Sequence, residues 1–310
     1  MKLFVKSTAI LALSFFLGSA LAVAQSDESG TLVMAARTPD GVVLAVDSAV
    51  TNNGVPTVNG HRKLVDVGQS GACAIAGFVG NEEHGNDISQ TVRSWLKANP
   101  DVSGMAAISG ILKIATKSWD SEHYSLGHLP DNRQPGDDIT GIICADQLPD
   151  GPAILEAHTN VATNGSAQSY EPFKVFGSFE CNGFCTYDTI VGLIKNPNPP
   201  QPATSKIESR ETYPKIRKDI LSNPLAYKAV QAFIAEQKRT DELRRETGGR
   251  PSFPFISTLD QAQVKILFVA YFKSVERYTK HVAPPNVVRL IRACGRFNST
   301  VEGPWPTCKQ

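Results

Sequence analysis

The chain has 310 residues, 41% hydrophobic and 20% charged, which is globular chemistry with enough length for a large core. Disorder requires low hydrophobicity with high net charge, and a collagen-like repeat requires Gly at every third position; neither holds. With 31 Lys and Arg against 30 Asp and Glu, the net charge of +1 gives no overall cationic character of the kind phosphate neutralisation needs. Nucleic acid is therefore not an expected partner.

Lys2 and Lys6 precede an apolar stretch from Ala9 to Ala24, with small residues at Ala20-Leu21-Ala22 and Ala22-Val23-Ala24. A positive start, a short apolar run and an Ala-x-Ala end predict a secretory signal peptide over residues 1–24, and hence a periplasmic or extracellular protein. An uncleaved anchor is the alternative, but Ser14, Gly18 and Ser19 interrupt a run already short for a bilayer. No later stretch has transmembrane length, so no stable membrane span is expected. Six cysteines follow: Cys73, Cys144, Cys181, Cys185, Cys294 and Cys308. An even number suits disulfides in an exported chain. Cys181 with Cys185 and Cys294 with Cys308 are the expected local pairs, while Cys73 and Cys144, inside apolar runs, read as buried thiols. A zinc site is disfavoured because the chain has no pair of Cys-x-x-Cys motifs.

After a polar segment, Gln25 to Gly30 (QSDESG), the pattern turns to strands. Thr31 to Arg37 and Val42 to Val46 flank the turn Thr38-Pro39-Asp40-Gly41. Lys63 to Val67 and Ala72 to Ala76 flank Gly68 to Gly71. Such near-continuous apolar strands suit a sheet covered on both faces. Two amphipathic helices follow, one carrying Ile88, Val92, Trp95 and Leu96, the other Met105, Ile108, Ile111, Leu112, Ala115 and Trp119. Strands return at Ile139 to Ala145, Ala153 to His158 and Phe173 to Phe176.

A Pro-rich break, Asn196 to Ala203, opens a segment to residue 254 that reads as an insertion. Within it Asn223 caps a helix, Pro224 takes the first position, and Leu225, Ala229, Val230, Phe233 and Ile234 form its apolar face. The charged run Glu236 to Arg245 reads as a solvated helix surface. Thr258 with Gln261 resembles a capping box that opens a long helix to about His281. Val287 to Ile291 is the last predicted strand. This order of strands and helices predicts an α+β fold.

If the first hairpin turns about Pro39 and Asp40, facing residues have numbers summing to about 79, and Thr31 lies beside Asp47 and Ser48. A carboxylate buried at a strand end needs a cation, and Lys63 is the candidate.

Gly30-Thr31, then Gly41-Val42-Val43-Leu44-Ala45-Val46-Asp47-Ser48, Arg62-Lys63 and Ala76-Gly77 resemble the catalytic β subunits of the proteasome and their bacterial relative HslV. Asp47 lies 16 residues after Thr31, Lys63 lies 32 after it and Gly77 lies 46 after it, the family's spacing at each position. The resemblance extends to about Ser178 and returns more loosely over residues 259–294. It implies a four-layer α/β/β/α sandwich of the N-terminal-nucleophile hydrolases, spanning residues 31–310, with residues 25–30 as a short propeptide. It also implies self-cleavage after Gly30, peptide or amide substrates, and a homo-oligomer as a possible assembly.

The implied chemistry is coherent. A threonine hydroxyl is a weak nucleophile that needs a base, and a chain beginning at Thr31 supplies its own α-amino group, which titrates at about 7.7–8.0. Lys63, held by Asp47, would keep positive charge beside the hydroxyl. The Gly77 N–H is the implied oxyanion donor, and no cofactor or metal is required. By the family's spacing Val50, His61, Val65, Ile75 and Val79 line the substrate pocket, a mostly apolar set that suits uncharged or hydrophobic acyl-side groups.

The chain departs from the family where an Asp and a Ser follow the third long helix: Lys280-His281-Val282-Ala283-Pro284-Pro285 has neither, and His281 reads as a surface histidine, the alternative being a replacement for the lost polar partner. Gly177-Ser178 is read as the counterpart of the family's earlier Gly-Ser, and Leu32 stands where the family often has Thr. Signal peptidase cutting near Ala22 or Ala24 leaves QSDESG attached, so exposing Thr31 requires a second cut. Alternatives are a small-molecule amidase on the same fold, or a catalytically silent secreted binding or assembly protein. Each residue also has a plain structural reading: Thr31 a strand residue, Asp47 and Lys63 an ion pair, Gly77 a packing glycine.

Overall fold

The computed structural model describes residues 32–52, 55–57, 63–78, 80–81, 86–124, 133–175, 178–183, 207–246, 248, 257, 259–278, 282–284 and 286–298. Residues 1–31, with the expected leader, Gly30 and Thr31, lie outside that set, as do His61, Val79, Cys185, His281 and Cys308.

Strands β1 (Leu32–Thr38) and β2 (Gly41–Val46) form the first hairpin, with Val33 opposite Val46 and Ala35 opposite Leu44. Both pairs sum to 79, the expected register. Two short pairs flank the next stretch: β3 (Val50–Asn52) with β4 (Val55–Thr57), and, after β5 (Leu64–Val67) and β6 (Gly71–Gly77), β7 (Gly80–Asn81) with β8 (Asn86–Asp87). Helix α1 (Ile88–Ala98) is capped by the Asp87 carboxylate, which accepts from the Gln90 N–H, and it buries Ile88, Val92 and Leu96. Helix α2 (Gly104–Trp119) begins where the Gly104 N–H donates to Asp146 Oδ2 at 2.7 Å and runs into a π turn over Asp120–Tyr124. Met105, expected on the apolar face, is 41% exposed.

Strands β9 (Asp138–Leu148), β10 (Gly151–Val161), β11 (Ala167–Ser169), β12 (Phe173–Lys174) and β13 (Phe179–Gly183) follow. They are succeeded by α3 (Ile207–Ser222), α4 (Pro224–Glu246), α5 (Gln261–Tyr278), β14 (Val287–Arg292) and β15 (Gly295–Asn298). The strands assemble into an antiparallel sheet of order β13-β1-β2-β14-β15 and a second of order β11-β10-β9-β6-β5, with β12 also on β10. The fold is therefore a mixed α+β architecture of antiparallel sheets with five α-helices among the described residues.

Side-chain alternation divides the apolar residues into separate cores. Leu32, Met34, Val43 and Ala45 face Ile216, Ile220, Ala229, Val230 and the α5 residues Leu267, Phe268 and Tyr271. Their neighbours Val33, Ala35, Val42 and Leu44 pack against Ala72, Ala74, Ala76, Ile143 and Ala145 of the second sheet. The remaining face of that sheet, with Val65, Cys73, Ile75 and Leu155, meets Val92, Ile108, Ile111 and Ala115 of α1 and α2. Segment 196–254, read as an insertion, thus contributes through α3 and α4 to the core over β1 and β2.

Several expectations are corrected. Cys73 and Cys144 are joined in a disulfide: they stand directly opposite on β6 and β9, Cα atoms 4.0 Å apart, so antiparallel pairing brings together thiols 71 residues apart. Cys181 and Cys294 are also disulfide-bonded, although the expected partners lie outside the described residues. At the start of α5, Asp260 and Gln263 form a capping box, each side chain accepting from the other's N–H; Thr258, of the expected box, lies outside the described residues, and α5 ends at Tyr278. Helix α3 was not expected, because Pro214 lies inside it and reads as a breaker. At α4, Asn223 does accept from the Leu225 and Ala226 N–H groups. Leu225, assigned to its apolar face, is 63% exposed.

Candidate active site

The first hairpin ends in a buried polar knot. Asp47, the residue after β2, is 1% exposed and Lys63, just before β5, is 2% exposed. Lys63 Nζ donates to Asp47 Oδ1 at 3.2 Å and lies 3.5 Å from Oδ2. The same carboxylate accepts from the Leu32 N–H at 2.9 Å and the Ala49 N–H at 2.8 Å. In the backbone, Asp47 N–H donates to the Leu32 carbonyl at 3.1 Å. Asp47 is thus tied to the amide that joins residue 31 to β1, to the turn after β2, and to the only cation bonded to it among the described residues. Burial raises the Asp47 pKa against the opposing pull of Lys63 and the two N–H donors. It lowers the Lys63 pKa against the opposing pull of Asp47. The proton affinities of acid and ammonium are drawn toward each other by removal from water.

The strand that follows Lys63 leads to Gly77. The Ile75 N–H donates to the Lys63 carbonyl, coupling the start of β5 to the end of β6. Gly77 has φ of +83°, and a Cβ there would stand 2.3 Å from the Ile139 carbonyl oxygen. Left-handed geometry and the close approach of β9 both require glycine. Val65 and Ile75, expected in a pocket, have side chains enclosed in the core against α1 and α2. Val50 lies in β3.

The chain after α5 closes on the same loop. Ser48 donates through N–H and Oγ to the Ala283 carbonyl, both at 3.2 Å, and Val287 pairs with Val46. Residues 282–284 add no acid, but Glu276, in the last turn of α5, accepts from Asn286 Nδ2. Its pKa is raised chiefly by burial, opposed by the Asn286 bond, and raised further by the Asp47 charge. Glu276 is the carboxylate that sequence reasoning missed here. Its signal was its place near the end of the periodic helix, before rather than after the helix terminus. Ser178 is corrected: β13 runs antiparallel to β1, so Gly183 lies opposite Leu32 while the Ser178 carbonyl accepts from Arg37 N–H at the far end.

A second titratable cluster draws on both sheets, with Glu156 and His158 on β10 and Glu180 on β13. His158 Nε2 is 2.7 Å from Glu156 Oε1, and Glu180, opposite Ala35 on β13, is pushed up to about 7, first by burial and then by the Glu156 charge. The His158 pKa is raised, chiefly by its bond to Glu156. A carboxyl whose folded pKa is raised binds more protons folded than unfolded, so its contribution to stability is present in acid and lost as pH rises through the folded value. Folding stability followed by denaturant titration should therefore fall between about pH 4.5 and 7, and Glu180→Gln should flatten that slope.

Among the described residues no three His, Cys, Asp or Glu side chains are grouped to hold a metal ion, and no described helix is long and apolar enough to cross a membrane. Comparison with protein-family models and with curated proteins finds no match.

Proposed function

We propose that this chain is an exported threonine-nucleophile amidohydrolase or peptidase of the proteasome-subunit type, a four-layer α/β/β/α sandwich self-processed between Gly30 and Thr31. The observation that carries this reading is the convergence of Leu32 N–H and Lys63 Nζ on the buried Asp47 carboxylate. It fixes a buried ammonium beside the residue that begins the hairpin. The three successive cores support the layered fold, and the disulfide-bonded cysteines suit an oxidising compartment outside the cytoplasm.

In the proposed reaction the Thr31 hydroxyl attacks the Gly30 carbonyl carbon and the peptide nitrogen leaves as the α-amine, giving an ester that water hydrolyses. The freed α-amine then serves as base for the next acyl transfer, in which a substrate carbonyl is attacked, its amine leaves protonated, and water releases the acid. Lys63, its proton affinity lowered by burial, keeps positive charge beside the hydroxyl without a large cost for sharing a proton. Asp47 holds Lys63 in place, and the Gly77 N–H faces the developing oxyanion. The substrate is a peptide or other amide, and assembly into a homo-oligomer is part of the same reading.

A catalytically silent binding protein is the second reading, favoured by one observation: residues 282–284, which meet the site through the Ala283 carbonyl to Ser48, are Val-Ala-Pro and bring it neither an acid nor a hydroxyl. A β-lactone probe separates the two. The enzyme acquires one acyl adduct on Thr31, located by peptide mass mapping and absent in Thr31→Ala. Processed protein left unlabelled would contradict catalysis.

A further inference from the structure

The residue after Gly77 is held on three sides, and that anchoring sets where the glycine sits. The Phe78 N–H donates to the Ile139 carbonyl at 2.8 Å, and Thr140 Oγ1 donates to the Phe78 carbonyl at 3.2 Å. The Phe78 ring lies edge-on to Trp119, centroids 5.2 Å apart, and 5.3 Å from the His123 ring. Thr140 is itself locked: its N–H donates to Thr159 Oγ1 at 3.1 Å, and Thr140 and Thr159 are both buried. The Trp119 end of α2 is tied down in turn, Trp119 Nε1 donating to the Gly165 carbonyl and the Ala167 N–H to Asp120 Oδ1.

A hydroxyl in a strand interior serves packing no better than a methyl of the same shape, so its cost in a buried site points to its bond. Thr140 lies opposite Gly77 on β9, and its hydroxyl bonds the carbonyl one residue beyond that glycine. A donor aimed at a developing charge must be held to a fraction of an ångström, and the bonds to the Phe78 N–H and carbonyl anchor the two peptides that directly follow the one carrying the Gly77 N–H. We propose that Thr140, acting through Phe78, is a positioning residue for the Gly77 N–H, so that transition-state stabilisation depends on a hydroxyl that never touches substrate. This rests on the hydrolase reading of the site.

The test compares wild type with Thr140→Val, which keeps the shape and removes the donor, and with Thr140→Ser, which restores it. Amide substrates selected from a peptide library are used, with a peptide aldehyde as mimic of the tetrahedral state. Thr140→Val should lose about tenfold or more in kcat and a similar factor in aldehyde affinity, with KM within about twofold of wild type; Thr140→Ser should recover most of both. A folded Thr140→Val with wild-type kcat and aldehyde affinity would overturn the inference, as would a change confined to KM. Thr140→Ala, which removes the same donor, is read against Thr140→Ser in the same way if Thr140→Val does not fold. A wild type that turns over no amide and takes no β-lactone label overturns the hydrolase reading itself, and the role assigned to Thr140 with it; a labelled wild type with an unaffected Thr140→Val overturns only the positioning role.

Discussion

Lys63→Met is expected to yield a secreted chain that keeps residues upstream of Thr31 and takes no β-lactone label. Its folding stability should fall by about 3–5 kcal/mol, the usual cost of leaving one member of a buried ion pair unpartnered. Both effects have one origin. Asp47 is 1% exposed, so its carboxylate loses its countercharge with no water to replace it, although the Leu32 and Ala49 N–H groups remain bonded to it. The double variant Asp47→Asn with Lys63→Met removes the orphaned charge and should regain a large part of that stability in denaturant titration, yet stay unprocessed. Recovery of stability without recovery of processing would separate the pair's chemical role from its structural one. Equal processing in wild type and Lys63→Met would remove Lys63 from the mechanism.

Gly77→Ala should be the most damaging single-methyl change in the site. The position is left-handed, with φ of +83°, which costs a side-chain-bearing residue about 1–3 kcal/mol. The added Cβ would also meet the Ile139 oxygen at 2.3 Å. Since β9 is a central strand of its sheet, the end of β6 must yield instead, carrying the candidate oxyanion donor out of line. Loss of one such donor typically costs about 10²–10³ in kcat. The rate of β-lactone labelling should therefore fall by that order while the protein stays folded by circular dichroism. Labelling at the wild-type rate in a folded Gly77→Ala would mean that the glycine serves packing alone.

What the sequence makes legible here is local or strictly periodic. The first hairpin was readable because Pro39 and Gly41 fix a tight turn, and antiparallel register then places Val33 against Val46 by counting. The pairing of Asp47 with Lys63 was readable because a carboxylate at the end of an apolar strand needs a nearby cation. Helices α1 and α2 were readable from apolar spacing, though not to the residue: Met105 fits the stripe but is exposed, while in the same turn Gly104, bonded to Asp146 of β9, and Ala107 are the buried residues.

What was missed is set by partners distant in sequence. Cys73 and Cys144 look like apolar core residues until β6 and β9 are paired, because nothing within either strand specifies which strand lies beside it. The direction of β13 is equally invisible: FECNG lacks a β-branched run, and only its pairing with β1 reveals that Gly183 lies opposite Leu32 and Ser178 beside Arg37. Glu276 escaped because its relation to Asp47 runs from α5 through Asn286 to the strand beside β2. No spacing rule within a segment records that path.

The central claim is most directly tested by intact mass and N-terminal sequencing of the full chain, expressed with residues 1–24 as the proposed export signal, wild type beside Thr31→Ala. The account predicts that wild type begins at Thr31 and that the variant keeps residues upstream of position 31. A folded wild type that still carries QSDESG would leave Thr31 without a free amine and would contradict the proposed enzyme.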